Sequence, residues 1–270
     1  MISIIVPVYC GAKAINELHR RIDITIQKHP DFGGYELIFV DDFSPDNSFQ
    51  VIQDLCLISK SVVGVGLSEN FGQQNATYAG LHFASGDIII TMDDDLQHEP
   101  ELIPSLVKRL DDKTDLVYGV FVSRQDGEYR KLGSKVTGQF FKRNFKVLQG
   151  NRVSSYRVIR KSLRDKIINT ECGFVYLSCV LLEKCRGVGN VCIPFTPRAE
   201  GRSNYNFKKL LKLFVRLNLN YGLLSHIYRK FFKTQKPAYE VNKVVGQTCQ
   251  GVKTNESDDV RWGNQSAVCN

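Results

Sequence analysis

The sequence predicts an α/β fold, a doubly wound and mostly parallel sheet with helices on both faces. Short apolar stretches alternate along residues 2–122 with stretches in which apolar residues recur at helical spacing. This alternation is typical of parallel strands joined by helical crossovers. The strands also lack polar alternation, as in Ile88-Ile89-Ile90, and strands of that kind are buried on both faces of a sheet.

The elements are expected in the following order. The predicted strands cover residues 2–8, 35–40, 62–67, 87–91, 116–122, 155–159 and 188–196. The predicted helices cover residues 12–29, 49–58, 73–84, 100–110, 160–168 and 207–228. The last helix is amphipathic and basic, with a break near Gly222. Residues 125–144 are rich in Gly, Lys and Arg and predict a mobile basic loop with a short helix.

Charge divides the 270-residue chain into unlike parts. Residues 1–122 carry 8 Lys and Arg against 18 Asp and Glu, whereas residues 123–236 carry 25 against 6. Basic surfaces attract phosphates, nucleic acid or anionic lipid. The basic part has few aromatic residues beside its cations, which argues against a nucleic-acid partner. From Pro237 the sequence turns polar and predicts a flexible tail.

Three features predict a cytoplasmic location. The first nine residues resemble a strand and contain neither a basic segment nor a cleavage site, so no signal peptide is expected. No run of 18 apolar residues occurs, so no membrane-spanning helix is expected. The eight cysteines are scattered without a CxxC pair, which is typical of free thiols in a reducing compartment.

An acidic cluster follows the apolar strand at residues 87–91. Asp93, Asp94 and Asp95, with the amide of Gln97, form an all-oxygen group, which suits Mg²⁺ or Mn²⁺. Ligands of open α/β sheets bind at the carboxyl ends of the strands, where this cluster falls. The alternative is a solvated acidic turn ahead of the next helix.

Four stretches, taken in order and spacing, resemble family 2 glycosyltransferases of the GT-A fold. Among these the resemblance is to the branch that uses polyprenyl phosphates, relatives of dolichol-phosphate mannose synthase and of bacterial undecaprenyl-phosphate sugar transferases. The stretches are VPVYCGAKAI at 6–15, FVDDFSPDNS at 39–48, NFGQQNATYAGLHFASGDIIITMDDDLQHEPE at 70–101 and PRAEGRSNYNFKKLLKL at 197–213. The resemblance covers about residues 2–222.

The resemblance implies a nucleotide site near the amino terminus. Pro7 and Tyr9 would line the pocket for the base, and Val40 and Asp42 would hold the base, with Asp93 also contacting the nucleotide. Alternatively, one of the two residues Asp41 and Asp42 would form an Asx-type turn instead of contacting the base.

The resemblance also assigns the acidic cluster. Asp93, Asp95 and Gln97 match the metal-binding DxDxQ pattern, and a divalent ion there would neutralise the departing diphosphate. Asp94 fills a middle position where relatives commonly have small residues such as Ala, and it would point at the sugar or solvent. Asp94, Asp95 and Arg124 form the predicted catalytic set.

The resemblance also implies contacts to the acceptor and to phosphate groups, and the guanidinium fork of Arg suits phosphate oxygens. The predicted residues are Arg130, Ser134, Arg157, Arg198 and Ser203. For the residues of the basic loop, the alternative is plain solvation.

Two departures from the family pattern stand out. Gly11 replaces the Glu of the usual V-P-x-Y-N-E, so a nucleotide-contacting carboxylate is absent. Ser155 replaces an Asp that is often proposed as the catalytic base. An attacking alcohol needs a base, whereas a lipid monophosphate is mostly dianionic at neutral pH. Asp126 or Glu200 could supply a base elsewhere.

The resulting hypothesis is a metal-dependent, inverting glycosyltransferase on the inner face of the plasma membrane. It would move a sugar from a nucleoside-diphosphate sugar to undecaprenyl phosphate or a related lipid-linked acceptor, in surface polysaccharide or lipopolysaccharide assembly. Residues 1–206 would form the catalytic domain and residues 207–236 a basic helix region facing the anionic membrane, followed by the tail at 237–270. Alternatives are transfer to a glycan hydroxyl and a non-catalytic nucleotide-sugar-binding module; homo-oligomerisation is left open.

Overall fold

The computed structural model describes residues 1–122, 137–168, 174–194, 207–222, 225, 228 and 239–246. Within these residues, eight strands form one sheet in the order β7-β5-β6-β4-β1-β2-β3-β8. The strands are β1 (Ile2–Val8), β2 (Tyr35–Asp41), β3 (Val62–Leu67), β4 (Ile88–Thr91), β5 (Leu116–Phe121), β6 (Arg157–Arg160), β7 (Val188–Ile193) and β8 (Val241–Gly246).

Helices cover the sheet. They are α1 (Ala12–Gln27), α2 (Ser48–Ile58), α3 (Gln73–Phe83), α4 (Ile103–Lys108), α6 (Lys161–Ile167), α7 (Leu177–Lys184) and α8 (Phe207–Tyr221), with residues 137–144 helical as α5. The predicted helix at 100–110 is divided, because a 3₁₀ turn at Pro100–Leu102 precedes α4.

The centre of the sheet is parallel, as predicted. β1 pairs in parallel with both β2 and β4, and β2 pairs in parallel with β3. β6 and β8 are reversed, since β6 runs antiparallel to β4 and β5, and β8 runs antiparallel to β3. The doubly wound α/β prediction is therefore confirmed, and the carboxyl ends of β1, β2 and β4 meet at one edge.

Two apolar clusters lie on opposite faces of the sheet. On one face, α1 buries Ile15, Leu18 and Ile22, which are fully inaccessible to solvent. On the other face, α3 packs so closely that a Cβ at Gly80 would lie 2.5 Å from Cγ2 of Ile5. Burial of each large aliphatic side chain stabilises the fold by roughly 1.5–3 kcal/mol.

The predicted flexible tail is wrong for part of its length. Residues 241–246 form β8, which pairs with β3, and Ser68 N donates to Glu240 O at 2.9 Å. β3 would otherwise be an unpaired edge, and a strand at that edge satisfies its backbone groups. The rest of the predicted tail, residues 247–270, lies outside the described residues.

The helices of the second half include one that the sequence did not predict and one whose end it did. α7 is missing from the sequence prediction because Leu177 to Leu182 are buried on every side, which removes the helical periodicity on which such a prediction depends. α8 ends at Tyr221, which agrees with the break expected near Gly222. None of the helices in the described residues is both long and apolar enough to cross a lipid bilayer.

Candidate functional site

The candidate site lies where β1, β2 and β4 end. Val8 pairs with Asp41 across β1 and β2, and Ile5 pairs with Thr91 across β1 and β4. This register places the loops that follow β1, β2 and β4 side by side. Most of the predicted donor-binding residues lie on these loops or at the strand ends before them. The side chains of Pro7 and Val40, which are paired in register, are both buried.

The three loops also share a backbone feature. Cys10, Phe43 and Leu96 have φ values of 57°, 58° and 60°, in the left-handed region that non-glycine residues rarely adopt. Each follows one of the three strands that end at the site. Strained conformations of this kind persist where the surrounding structure holds them, and they concentrate at functional sites.

The two aspartates after β2 have different roles. Asp41 Oδ2 accepts a hydrogen bond from Ser44 N at 3.2 Å and so forms the local turn that was the alternative for this pair. Asp42 reaches across instead, and its two oxygens accept from Phe71 N and Gly72 N at 2.8 Å each. Burial raises the pKa of Asp42 to about 6, against the opposing effect of those two hydrogen bonds.

Asp93, the first residue of the acidic cluster, is held by three partners. Its Oδ1 accepts from Gln73 Nε2 at 2.5 Å and its Oδ2 accepts from Ser155 Oγ at 2.8 Å. Its backbone N–H donates to His98 Nδ1 at 3.0 Å, so the neutral His98 ring carries its proton on Nε2. The carboxylate is fixed from α3 on one side and from the start of β6 on the other.

His98 anchors the loop after β4, and sequence reasoning missed it. The ring is only 3% exposed and stacks on Tyr156 at 4.8 Å and on Phe121 at 5.9 Å between ring centroids. Tyr156 in turn donates its hydroxyl proton to Glu99 O at 2.8 Å. The signal available in the sequence was a histidine directly after Gln97 in an otherwise acidic loop.

Asp94 turns inward. Its Oδ2 accepts a hydrogen bond from Tyr9 N at 3.4 Å and lies against Gly11, which directly precedes α1. Burial, followed by the charge of Asp93, raises the pKa of Asp94 to about 7. Asp94 remains partly exposed, and the contact with the loop after β1 is favoured because a backbone N–H and the amino end of α1 both attract a carboxylate. That Asp94 points at the sugar or at solvent stays a prediction.

The predicted metal ligands lie on one short loop. Asp95 Oδ1 accepts from Gln97 N at 3.1 Å, which closes the turn around Leu96. Within the part of the chain that the structure describes, no three His, Cys, Asp or Glu side chains converge as a preformed metal site. The oxygen donors suit a hard divalent cation, and the remaining coordination positions would fall to a ligand that brings its own oxygens.

Arg157 lies behind this loop on β6 and is only 3% exposed. Its Nη1 donates to Thr91 Oγ1 at 3.1 Å and to Ser155 O at 3.2 Å, and its Nη2 donates to Ser178 Oγ at 3.3 Å. Its Nε has no hydrogen-bond partner among the described residues. The three partners are neutral oxygens, and the phosphate contact expected of Arg157 stays a prediction.

The other predicted contacts cannot be placed. Arg124, Arg130, Ser134, Arg198 and Ser203 lie outside the described residues, as do Asp126 and Glu200.

Comparison with known proteins agrees with this geometry. Undecaprenyl-phosphate 4-deoxy-4-formamido-L-arabinose transferases of Klebsiella pneumoniae are 32% identical to this chain over 216 residues, which are 78% of this chain. The chain spans 64% of the length of these relatives.

Solved structures share the fold at low identity. One is glucosyl-3-phosphoglycerate synthase from Mycobacterium tuberculosis with Mn²⁺, uridine diphosphate and phosphoglyceric acid, at 17% identity and a TM-score of 0.58, covering 83% of this chain and 78% of that chain. Another is the mannosyltransferase PcManGT from Pyrobaculum calidifontis with GDP-Man and Mn²⁺, at 18% identity and a TM-score of 0.51, covering 84% of this chain and 64% of that chain. The family described as Glycosyl transferase family 2 matches residues 3–173, so this chain belongs to glycosyl transferase family 2.

Proposed function

We propose that this protein is a metal-dependent, inverting glycosyltransferase that moves a sugar from a nucleoside-diphosphate sugar to a polyprenyl phosphate or a related lipid-linked acceptor. The observation that carries the proposal is the convergence of Tyr9, Asp42 and Asp93–Gln97 at the carboxyl edge of a parallel sheet. Such edges are where α/β proteins bind nucleotides.

The donor would lie along this edge. Pro7, Tyr9, Val40 and Asp42 would bind the nucleoside, and the rigid hydrogen bonding of Asp42 to the backbone before α3 keeps its oxygens in one place. A carboxylate only accepts hydrogen bonds, so Asp42 would select for N–H or O–H groups of the donor.

Asp93, Asp95 and Gln97 would hold Mg²⁺ or Mn²⁺ beside the diphosphate. A divalent ion supplies charge neutralisation to a leaving diphosphate. The chain's own part is to keep the ligands oriented, through Gln73 and Ser155 on Asp93 and through the turn around Leu96. The Mn²⁺ bound in the two structural relatives supports this assignment.

The nature of residue 155 favours a phosphate acceptor. Ser155 donates its hydroxyl proton to Asp93, so it is no base for an attacking alcohol. A lipid monophosphate needs none, because its second pKa is about 6. An acceptor phosphate oxygen would form the bond to the anomeric carbon while the bond from that carbon to the diphosphate oxygen breaks. The substrate named for the Klebsiella relatives, undecaprenyl phosphate, supports this choice.

A membrane-bound acceptor calls for a membrane-facing surface. The α8 side chains Leu211, Val215 and Leu219 are 53%, 47% and 38% exposed and recur every four residues, which places them on one side of the helix. Lys212 and Arg216 are exposed beside them. We assign this surface to the anionic inner face of the plasma membrane, with residues 1–206 as the catalytic domain.

The proposal is tested by transfer assays with the purified protein, Mn²⁺ and a panel of UDP-, GDP- and dTDP-sugars. Each donor is offered with undecaprenyl phosphate in detergent or with soluble saccharides. Product on the lipid phosphate is expected, and Asp95→Ala should lower its formation at least about 100-fold without altering thermal unfolding. Product only on saccharides would establish the hydroxyl alternative, and nucleotide binding without any product would establish a non-catalytic module.

A further inference from the structure

Gly11 and Asp94 are 83 positions apart in sequence and touch in the structure. A Cβ built on Gly11 would overlap Asp94 Oδ2 and would lie 3.3 Å from Asp94 Cγ and 3.1 Å from Val8 Cγ1. Oδ2 of Asp94 belongs to a side chain of limited reach, and Val8 is buried. Any side chain at position 11 would therefore displace the Asp94 carboxylate.

This contact connects two departures from the family pattern. The family pattern has a Glu at position 11 and commonly a small residue at position 94, whereas this chain has Gly11 and Asp94. A carboxylate is present in both arrangements, and it enters from the loop after β1 in one and from the loop after β4 in the other. A Cβ at position 11 would overlap Asp94 Oδ2, so a side chain at position 11 is incompatible with the position that the Asp94 carboxylate occupies here.

Hydrogen bonds hold both the Asp94 carboxylate and the loop that it contacts in a fixed orientation. Tyr9 N donates to Asp94 Oδ2, and the backbone N–H groups of Cys10 and Gly11 are held by Ser44 Oγ at 3.1 Å and Ser48 Oγ at 3.0 Å. The loop that receives Asp94 is thus fixed from α2 and the turn before it. Helix α1 has no acidic residue in its first turn and no side-chain cap, so the Asp94 charge also faces a helix amino end that lacks one of its own.

We propose that Asp94, on the loop after β4, supplies the donor-binding carboxylate that the family pattern places at position 11. Gly11 makes this possible because it has no side chain to occupy the position of the Asp94 carboxylate. This inference rests on the proposed function. The two oxygens of a carboxyl group can accept hydrogen bonds from paired hydroxyl groups, and Asp94 lies between Asp93 and Asp95 in the sequence and against Tyr9 N in space. Its ligands are hydroxyls of the donor, either on the ribose or on the transferred sugar.

A reciprocal exchange tests the proposal with four proteins: wild type, Asp94→Ala, Gly11→Glu, and the double variant Gly11→Glu/Asp94→Ala. Affinity is measured by calorimetry with Mn²⁺ present, using the nucleoside diphosphate, its 2′-deoxy form and the nucleotide sugar that bind best to wild type. Each single variant should bind about 10-fold more weakly or worse, since a hydrogen bond to a charged group is lost or displaced. The double variant should recover to within about threefold of wild type.

The ligand series identifies the hydroxyls. If they belong to the ribose, wild type binds the 2′-deoxy nucleotide more weakly than the parent and Asp94→Ala does not discriminate. If they belong to the sugar, Asp94→Ala loses affinity for the nucleotide sugar alone. Unchanged binding by Asp94→Ala, or a double variant no better than the weaker single variant, overturns the proposal.

Thermal unfolding without ligand separates a structural role from a binding role. A carboxylate that only caps α1 would lower the melting temperature in Asp94→Ala while leaving the affinity per folded molecule intact, and this result also overturns the proposal. A wild type that binds no nucleotide with Mn²⁺ would instead refute the proposed function itself. Asp94→Asn, which keeps an acceptor oxygen and removes the charge, is expected to fall between wild type and Asp94→Ala.

Discussion

At the scale of single residues, the site depends on side chains that hold other side chains. The acidic residues after β4 were predictable from the sequence because three carboxylates after a buried strand have an unusual charge density. Two of their supports were not predictable, since Gln73 in α3 and Ser155 before β6 reach Asp93 from positions 20 and 62 residues away in the sequence. Contacts between residues distant in sequence leave no local pattern, and the Gly11–Asp94 contact is of the same kind.

His98 provides a first test at this scale. We expect His98→Ala to lower the free energy of unfolding by about 2–4 kcal/mol, because it leaves the Asp93 N–H without its acceptor and opens a cavity against Tyr156 and Phe121. Urea denaturation measures the change, with His29→Ala, at a partly exposed position far along the chain, as the control. A loss below about 1 kcal/mol would show that the stacked ring does not anchor the loop.

Asp42 provides a second test through pH. Its pKa rises from 3.8 to about 6 on folding, so between these values the folded protein binds more protons than the unfolded chain. Its contribution to stability is therefore fully present below about pH 4 and is lost as pH rises through about 6. The stability advantage of wild type over Asp42→Asn should shrink by about 2–3 kcal/mol between pH 4 and pH 7.

Denaturation at one-unit pH steps measures this change, and Asp112→Asn, at an exposed position, is the matched control. Parallel stability curves for wild type and Asp42→Asn would contradict the predicted pH dependence.

At the scale of elements, prediction succeeded where burial is simple. β1 to β4 were found because strands covered on both faces are continuously apolar. β8 was missed because only Val241 of its six residues is buried, so its pairing with β3 is a property of the partner edge rather than of its own sequence. α7 was missed for the opposite reason, since complete burial hides the helical period.

The close packing of α3 against the sheet gives a test at the scale of elements. Gly80→Ala should cost about 1–3 kcal/mol, because the new methyl group would press on Ile5 and Val40 at the centre of the parallel sheet. Gly138→Ala in α5 is the matched control, since a Cβ there has no neighbour within 4 Å. The control should be stabilising by up to about 1 kcal/mol, as expected for Ala over Gly in a helix. Equal effects at the two positions would contradict the close approach of α3.

At the scale of the whole molecule, the chain divides into an acidic first part and a basic second part. Residues 1–122 contribute the carboxylates of the candidate site, and residues 123–236 carry 25 Lys and Arg against 6 Asp and Glu. This division was visible in the sequence, because charge can be counted without knowing the fold. Which basic side chains would face the proposed acceptor does not follow from counting, since it depends on loop conformation.

Membrane attachment is tested with vesicles. The protein should bind vesicles containing phosphatidylglycerol more strongly than pure phosphatidylcholine vesicles, and added salt should weaken this binding because it screens the basic surface. Replacing Leu211, Val215 and Leu219 by Ser should reduce binding about 10-fold or more in co-sedimentation. The matched control replaces Leu57 and Ile58, which are exposed at the end of α2, by Ser. This control variant should bind vesicles like wild type. Equal loss in both variants would refute α8 as the attachment surface.

The left-handed backbone at Cys10, Phe43 and Leu96 has a consequence for how such a protein can change. A non-glycine residue in this conformation costs about 1 kcal/mol relative to glycine, and all three residues follow strands that end at the edge where we propose that the donor binds. Selection for thermal stability alone would therefore favour glycine at these three positions. Glycine would also make the loops more flexible, and flexible loops would position the diphosphate of the proposed donor less accurately. Under the proposed function, thermal tolerance and turnover would be opposed at three identifiable backbone torsions.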